Sequence, residues 1–362
     1  MKILFLANSF LVLHKFRKEL IIKLVEDGHD VYISCPKDPK ISFFTDLGIK
    51  FIQTELKRRN FNILKEIKLI NFYKKIFKNI KPNFVFSYTI KPNILGAIAS
   101  KNFDLKFIPN ITGLGNSFFG IFILEILATA LYKFAFKNIH HIFFQNKSNY
   151  DFFIKREIIS SNLPSTILPG SGVNLNDFPY KKMNLDSSIK FLFAARIMKA
   201  KGIDIFLKAS KIIKKSYPNV QFMVAGFCED NYQKVLLKYQ NEGIIKYYGY
   251  QDKICLFYES CTCLVFPSYY PEGLSNVLLE AAAVGRPLIS TNLPGCKEAI
   301  IDEYNGFIIE PKNVTNLVNA LEKFIGLSNE AKLLMGENSH RFISKSFSRN
   351  LIIDEYVKII YR

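Results

Sequence analysis

The chain has 362 residues, of which 49% are hydrophobic, 14% aromatic and 22% charged, a composition that excludes disordered and fibrous proteins. At about 150 residues per domain, this length favours two domains. Lys and Arg number 49 against 31 Asp and Glu, which gives a formal net charge of +18 and favours anionic partners.

The first predicted element is a buried strand over Lys2–Ala7. The segment Met1–Leu13 has the apolar character of a secretion signal, but Asn8 and Ser9 interrupt it and a basic segment follows. The turn after the strand holds no glycine, whereas a dinucleotide-binding turn needs a G-x-G-x-x-G pattern. The sequence therefore disfavours a signal peptide and an ordinary NAD domain.

Short apolar runs alternate with segments of helical periodicity in the first half, which is typical of a parallel sheet with helical crossovers. The predicted strands are Lys2–Ala7, Asp30–Cys35, Lys50–Thr54, Asn83–Ser87, Lys106–Pro109 and Ile142–Gln145. The predicted helices are Arg17–Asp27, Asn62–Asn79, Asn93–Asn102, Ser117–Lys137 and Lys147–Ile159.

Two features of this half suit contact with a lipid surface. Residues 50–106 hold thirteen Lys or Arg against three acidic residues, although A/T-rich codons would also favour lysine. The apolar segment Phe118–Phe136 is broken by Glu125 and Lys133. A core helix or an interfacial helix therefore fits it better than a membrane span.

A segment rich in glycine and proline, 168–186, interrupts this pattern and predicts the junction between two domains. The strands predicted after it are Ile189–Ala195, Val220–Ala225, Ile244–Tyr248, Cys263–Pro267, Leu288–Ser290 and Gly306–Ile309. The predicted helices are Ile203–Tyr217, Tyr232–Asn241, Asn276–Val284 and Val314–Ile325, followed by helical segments from Asn329 to Tyr361.

The six cysteines are scattered and form no C-x-x-C pattern, so they predict free thiols in a reducing cytoplasm and no structural zinc. Two of them, Cys261 and Cys263, alternate in an apolar run and are expected to be inert core residues. The complete set is Cys35, Cys228, Cys255, Cys261, Cys263 and Cys296.

A basic turn follows the first strand of the second half. That strand delivers Arg196 to its carboxyl end, and Lys201 and Gly202 come directly before a helix. Unpaired N–H groups at a helix N-terminus and two cations form a good anion site, one that suits a diphosphate. The alternative is an ordinary solvated basic turn.

A second motif, PEGLSNVLLEAAA, spans residues 271–283 and carries Glu272 and Glu280. The turn Gly273–Asn276 is expected to offer free backbone N–H groups to a ligand. Glu280 lies between apolar residues, and burying a carboxylate is costly without a hydrogen-bonding partner. A pair of ligand hydroxyls would serve as that partner.

The segment Phe266–Thr291 resembles the nucleotide-sugar signature of glycosyltransferase family 4, which comprises retaining enzymes of the GT-B fold. Arg196 and Lys201 match the paired cations of that family, and Gly172–Asn174 followed by Phe178 resembles its segment between the domains. The resemblance implies an α/β fold of two Rossmann-like parallel-sheet domains facing each other across a cleft. Residues 1–172 would bind the acceptor, 173–345 would bind the nucleotide sugar, and a C-terminal helix over 346–362 would pack back toward the first domain.

The resemblance also implies roles for the donor-binding residues. Arg196 and Lys201 would neutralise the diphosphate of a nucleoside-diphosphate sugar, with UDP as the default nucleotide. Glu280 would accept hydrogen bonds from the ribose hydroxyls, and the base of the nucleotide would lie near Tyr250.

The other donor-binding residues belong to the turn after Pro271. Glu272 and the N–H groups of Gly273, Leu274 and Ser275 would hold the sugar and the β-phosphate. Glu272, Arg196 and Lys201 are thus the expected catalytic residues, and they would transfer a hexose or N-acetylhexosamine by a front-face route with retention. No cofactor and no essential metal are expected.

In the first domain, Ser87–Gly96 and Asn110–Gly115 resemble the subgroup that extends undecaprenyl-diphosphate-linked bacterial glycans for capsule, O-antigen or protein glycosylation. The implied partners are a polyprenyl-diphosphate-linked saccharide and an anionic membrane, with the protein peripheral on the inner face of the plasma membrane. The candidate acceptor-binding residues are Asn8, His14, Lys91, Asn93 and Asn110.

The first domain also departs from the family. Asn8 and Ser9 stand where many members have a glycine-rich loop, and no histidine follows the Asn83–Ser87 strand. A soluble acceptor, a lipid A core acceptor and a non-catalytic sensor of sugar nucleotides remain alternatives. A basic nucleic-acid-binding protein is a remote one, because arginine is scarce and no binding module is recognisable, and no nucleic acid is expected as a partner.

Overall fold

The computed structural model describes residues 1–56, 62–113, 122–185, 188–229 and 231–361, without the side chains of residues 122–124. The chain divides into two compact units. The N-terminal domain consists of Met1–Ser171 with Ile352–Arg362, and the C-terminal domain consists of Gly172–Leu351. Each contains a parallel sheet with a hydrophobic core on both of its faces, so the expected class of two Rossmann-like α/β domains is confirmed.

The sheet of the N-terminal domain has the strand order β3-β2-β1-β4-β5-β6-β7, with parallel pairing throughout. Its strands are β1 Lys2–Leu6, β2 Asp30–Cys35, β3 Lys50–Gln53, β4 Phe84–Tyr88, β5 Lys106–Ile111, β6 Ile142–Phe144 and β7 Ser165–Ile167. Its helices are α1 Phe10–Glu26, α2 Ser42–Thr45, α3 Ile63–Ile80, α4 Ile90–Ser100, α5 Phe122–Ala135 and α6 Lys147–Lys155.

The sheet of the C-terminal domain has the order β10-β9-β8-β11-β12-β13 and is also parallel. Its strands are β8 Lys190–Ala194, β9 Gln221–Ala225, β10 Lys246–Tyr247, β11 Cys263–Phe266, β12 Leu288–Thr291 and β13 Gly306–Ile309. The helices from here to the end of the chain are α7 Ile203–Ser216, α8 Gln233–Asn241, α9 Ile254–Ser260, α10 Asn276–Ala283, α11 Val314–Gly326, α12 Asn329–Ser346 and α13 Arg349–Tyr361.

The last helix completes the core of the N-terminal domain. Tyr356 of α13 stacks on Phe143 with ring centroids 4.4 Å apart, and its hydroxyl contacts Asn110 Oδ1. The buried face of α13 joins the core formed by β1, β2 and α1 through Ile352, Ile353, Tyr356, Ile359 and Ile360. Eleven residues from the far end of the chain, Ile352–Arg362, are thus part of the first domain.

The sequence analysis missed three short elements, α2, β7 and α9, which are too short for a clear periodic pattern. The sequence pattern also predicted that α4 begins at Asn93. The helix instead begins at Ile90, because proline is tolerated in the first turn of a helix and Pro92 lies there. Residues 117–121 of the predicted helix Ser117–Lys137 lie outside the described residues.

Cys261 and Cys263 are buried as expected, and burial raises the pKa of Cys261 to about 12.

Candidate active site

The strand order of the C-terminal sheet reverses between β8 and β11. Parallel sheets bind ligands at the carboxyl ends of the strands beside such a reversal, because the loops there diverge to opposite faces of the sheet. The basic turn follows β8 and the two-glutamate motif follows β11. The two motifs, about 70 residues apart, therefore meet at the position that the topology favours for a ligand.

Gly202 brings the basic turn against the loop that follows β11. It has a φ of +83°, which glycine adopts without strain, and a Cβ atom there would overlap the carbonyl oxygen of Pro267. A short 3-10 turn over Lys199–Lys201 precedes it, and α7 begins directly after it. Only glycine allows this close approach.

The two cations of the basic turn differ in exposure. Arg196 is 42% exposed, and its Nη1 lies 3.0 Å from Glu229 Oε2. Lys201 is only 10% exposed and forms an ion pair with Glu272, which is 14% exposed. Its Nζ also lies 4.8 Å from the centre of the Tyr270 ring. A buried ion pair of this kind depends on both partners, so Lys201 and Glu272 form one unit.

The turn between Glu272 and α10 is partly engaged within the domain. The Ser275 N–H group donates to the carbonyl of Gly295 at 2.8 Å, contrary to the expectation that it is available to a ligand. Leu274 and Ser275 are buried, as is Gly273. The Ser275 N–H group therefore serves the packing of this turn within the domain.

Glu280 has the hydrogen-bonding partner that its apolar neighbours require. The Tyr258 hydroxyl donates to Glu280 Oε2 at 2.9 Å. Tyr258 is fully buried, and burial together with the nearby Glu280 charge raises the pKa of Tyr258 well above its usual value. The phenol therefore stays protonated and remains a donor to the carboxylate.

A buried arginine fixes Tyr258 from the other side. Arg286 donates from Nε to the Tyr258 carbonyl at 2.7 Å and from Nη2 to the Glu259 carbonyl at 3.0 Å. Its Nη1 donates to the Lys181 carbonyl at 2.9 Å. Sequence reasoning missed both Tyr258 and Arg286: α9, which carries Tyr258, was not predicted, and Arg286 was given no role although it lies within the Phe266–Thr291 segment.

Tyr250 lies on the loop after β10, which is two strands away from β8 in the sheet. Its side chain is exposed. The preceding residue, Gly249, accepts a hydrogen bond from the Gly226 N–H group at 2.8 Å. The position is open to a ligand, although it lies apart from the residues at the strand reversal.

In the N-terminal sheet the strand order reverses between β1 and β4. Asn8 follows β1, and Thr89, which the sequence did not single out, follows β4. Asn8 Oδ1 and Thr89 Oγ1 are buried and have no hydrogen-bond partner in the part of the chain that the structure describes. Thr89 also has a positive φ of 73°.

The other acceptor-binding candidates are engaged within the domain. His14 stacks on Phe10 at 5.1 Å, and burial followed by the nearby lysine charges lowers the pKa of His14. Lys91 Nζ pairs with Glu66 Oε1 at 2.6 Å.

Asn93 and Asn110 are buried. Asn93 Oδ1 accepts from Ser87 Oγ at 2.7 Å, and its Nδ2 donates to the Asn110 carbonyl at 2.9 Å. The Asn110 side chain connects the Ser87 carbonyl with Tyr356. In this structure both asparagines hold strands and helices together.

Within residues 1–56, 62–113, 122–185, 188–229 and 231–361, no three or more His, Cys, Asp or Glu residues are grouped as a metal site would require. In the same ranges, every helix is too short or too polar to cross a membrane.

Both halves of the chain match family models. The model of glycosyl transferases group 1 matches residues 180–344, and the glycosyl transferase 4-like model matches residues 2–146. These two ranges contain the strand reversals of the two sheets.

Two curated proteins are similar over nearly the full length. One is the N,N'-diacetylbacillosaminyl-diphospho-undecaprenol alpha-1,3-N-acetylgalactosaminyltransferase of Campylobacter jejuni, 26% identical over 100% of this chain and 99% of that protein. The other is the UDP-Gal:alpha-D-GlcNAc-diphosphoundecaprenol alpha-1,3-galactosyltransferase of Escherichia coli, 23% identical over 93% and 90%.

A solved structure of HepE from Anabaena, in complex with UDP and glucose, has the same fold. Its TM-score is 0.80 at 17% identity, with 100% of this chain and 99% of that chain covered.

Proposed function

The chain belongs to the glycosyl transferases of group 1, and from this premise we propose that it moves a hexose or N-acetylhexosamine from a UDP-sugar to a polyprenyl-diphosphate-linked saccharide. The observation that carries the proposal is that the basic turn with Arg196 and Lys201 meets the two-glutamate motif at the strand reversal of the C-terminal sheet, through the Lys201–Glu272 ion pair. Cations suit a diphosphate, and a carboxylate fixed by a tyrosine suits ribose hydroxyls.

The proposed chemistry uses these charges on the leaving group. An acceptor hydroxyl attacks the anomeric carbon, the bond from that carbon to the phosphate oxygen breaks, and the nucleoside diphosphate leaves with the electron pair. Arg196 and Lys201 stabilise the negative charge that develops on it, in the electrostatic role that a metal ion has in other enzymes.

The remaining parts of the proposed step are the positioning of the sugar and the transfer of the acceptor proton. Glu272, which forms an ion pair with Lys201, orients the sugar beside the diphosphate. The leaving phosphate takes the proton of the acceptor hydroxyl, which permits attack on the same face and therefore retention of configuration.

The acceptor class is supported by the two full-length relatives, whose names both specify a saccharide on undecaprenol diphosphate. UDP is supported by the donor in the name of the Escherichia coli relative and by the nucleotide in the HepE structure.

A transfer assay with the purified full chain tests donor and acceptor together. A panel of UDP-sugars and GDP-sugars is offered with a short undecaprenyl-diphosphate-linked saccharide, and released nucleotide and product mass are measured. We expect one UDP-sugar to give a heavier lipid product. Hydrolysis without that product would discard the lipid-linked acceptor in favour of a soluble or lipid A core acceptor, and release from GDP-sugars alone would discard UDP.

We further propose that an anionic membrane is a partner, at the inner face of the plasma membrane. Helices α3 and α5 both pack on α4, on one face of the N-terminal sheet. Together they expose a set of large apolar side chains that we call the α3–α5 face: Ile63, Leu64, Ile67, Ile126, Leu127, Leu131 and Phe134.

The positive charges beside the α3–α5 face favour an anionic bilayer as the surface that it binds. Helix α3 carries exposed lysines at 65, 68, 74, 75 and 78, and its acidic residue Glu66 is buried against Lys91. Each lysine near an anionic leaflet contributes about 1 kcal/mol, and each apolar side chain that enters the lipid about 1.5–3 kcal/mol. Apolar insertion and charge attraction therefore act on the same surface.

Vesicle binding tests the α3–α5 face. We expect the protein to bind vesicles of equal parts phosphatidylglycerol and phosphatidylcholine more tightly than pure phosphatidylcholine, and Leu64→Ser with Leu131→Ser to weaken that binding by about 10-fold or more. Leu334→Ser is the matched control, because Leu334 is 55% exposed but lies on α12 of the other domain. Equal binding by all three proteins would contradict this role.

A further inference from the structure

The loop that follows β9 places a carboxylate against one of the two cations of the basic turn. Glu229 Oε2 lies 3.0 Å from Arg196 Nη1, and the Glu229 side chain is only 15% exposed, whereas that of Arg196 is 42% exposed. The more buried partner of this pair is therefore the acid. Arg196 has a role at the diphosphate in the proposed reaction, but Glu229 has none.

Hydrogen bonds hold the backbone of Glu229 beside the basic turn. The parallel pairing of β8 and β9 continues past the ends of both strands. The Ile197 N–H group donates to the Phe227 carbonyl at 2.7 Å, and the Glu229 N–H group donates to the Ile197 carbonyl at 3.2 Å. Ile197 also forms a parallel bridge with Cys228. The backbone of Glu229 is therefore fixed next to the residue that follows Arg196.

Each of the two cations is paired with a carboxylate. Arg196 pairs with Glu229, and Lys201 pairs with Glu272. The centre of the Tyr270 ring lies 5.8 Å from Arg196 Cζ and 4.8 Å from Lys201 Nζ, so the two ion pairs are neighbours around one ring. As a set, the four charged side chains carry no net charge. An anion that binds Arg196 must therefore compete with Glu229 for the guanidinium N–H groups.

The product of the proposed reaction is a stronger anion than the donor. The terminal phosphate of a nucleoside diphosphate has a second ionisation with a pKa of about 6, and a phosphate esterified by a sugar lacks that ionisation. On charge alone, the two cations therefore bind the product more tightly than the donor, and slow product release limits turnover. A carboxylate beside such a cation offsets the difference, because it repels the additional negative charge.

We propose that Glu229 is a positioning residue that acts through Arg196 to weaken the binding of the nucleoside diphosphate and so to speed its release. This inference rests on the proposed transfer reaction. Glu229 competes with the product for the guanidinium, and its ion pair with Arg196 forms again as the product leaves. The effect is greater on the product than on the donor, because the donor carries less negative charge.

Glu229→Gln removes the charge but keeps the length of the side chain and an oxygen atom that can accept from Arg196. We expect the Kd for UDP, measured by calorimetric titration of the full chain, to fall by about 5- to 10-fold, the effect of removing one like charge at a solvent-screened site. Dissociation of UDP, followed by stopped-flow displacement, should slow by a similar factor. The KM for the UDP-sugar should change by less than about 2-fold.

Glu242→Gln is the matched control. Glu242 pairs with Lys211 at 2.8 Å and lies just before β10, at the opposite edge of the same sheet, so this variant removes the same charge from the same domain. We expect its Kd for UDP to stay within about 2-fold of the wild-type value. When combined with Arg196→Ala, Glu229→Gln should no longer tighten UDP binding, because the competition requires the guanidinium.

Unchanged or weaker UDP binding by Glu229→Gln would overturn the inference. Equal tightening in Glu242→Gln, or tightening that persists without Arg196, would overturn it as well. If the wild-type protein neither binds UDP nor releases it from a UDP-sugar, the proposed function fails instead, so the two failures are distinguishable.

Discussion

Arg196→Ala is expected to lower kcat for sugar transfer by about 10²–10³-fold, the loss that follows removal of one group that stabilises transition-state charge. The guanidinium stands at the carboxyl end of β8, beside the strand reversal. Stability should change little, because the Arg196 side of its ion pair with Glu229 is 42% exposed and solvent-screened pairs contribute about 0–1 kcal/mol. Single-turnover rates with a saturating UDP-sugar, alongside thermal melting, measure both effects.

Lys199→Ala is the matched control for this substitution. Lys199 is an exposed lysine of the same turn, three residues along the chain, so it changes the local charge by the same amount. We expect it to retain at least about a third of wild-type kcat, since charge away from the reacting phosphate is screened by solvent. Equal losses in the two variants would show that the general field of the basic turn matters rather than Arg196 itself.

Glu280→Ala is expected to lower kcat/KM for the donor by about 100-fold, because hydrogen bonds to a charged group contribute about 1.5–3 kcal/mol. The loss should be much smaller for a UDP-sugar with 2′-deoxyribose, which lacks one of the hydroxyls that would donate a hydrogen bond to the carboxylate. Comparing UDP-sugar with its 2′-deoxy analogue in both proteins measures this directly. An undiminished preference for ribose in Glu280→Ala would remove Glu280 from the ribose site.

Tyr258→Phe is a milder perturbation of the same site than Glu280→Ala. It deletes one hydroxyl from the 2.9 Å hydrogen bond to Glu280 and leaves the carboxylate in place. We expect a loss of about 3- to 10-fold, in the range of a single hydrogen bond, with the ribose preference reduced but present. A loss as large as that of Glu280→Ala would mean that Tyr258 supports the fold around α10 rather than the orientation of one side chain.

Local patterns were enough to predict most of the fold. Apolar runs of strand length separated by helical periodicity gave the parallel sheets, and the Gly/Pro-rich segment 168–186 marked the passage between domains. The basic turn and the two-glutamate motif were readable because each is continuous in sequence. The contact between these two motifs, made by Lys201 and Glu272, depends on the order of the strands in the sheet. That order could not be predicted from the local sequence patterns.

The contacts that the sequence could not predict join residues far apart in the chain. Asn110 is a conspicuous polar residue in an apolar strand, and it suggested a ligand contact. Its side chain is instead bound to Tyr356, 246 residues later, and that pairing depends on where α13 packs. Similarly, Thr89 gave no signal, because backbone strain arises only once β4 and α4 are both in place.

The packing of α13 has a consequence for the order in which the protein forms during translation. Residues 352–361 complete the hydrophobic core of the N-terminal domain, yet the ribosome makes them after the entire C-terminal domain. The segment 172–351 is continuous and has all its core residues earlier, so the second domain can fold first while the first waits with part of its core uncovered. Exposed apolar surface of this kind attracts chaperones and promotes aggregation, so nascent chains should be most vulnerable just before α13 emerges.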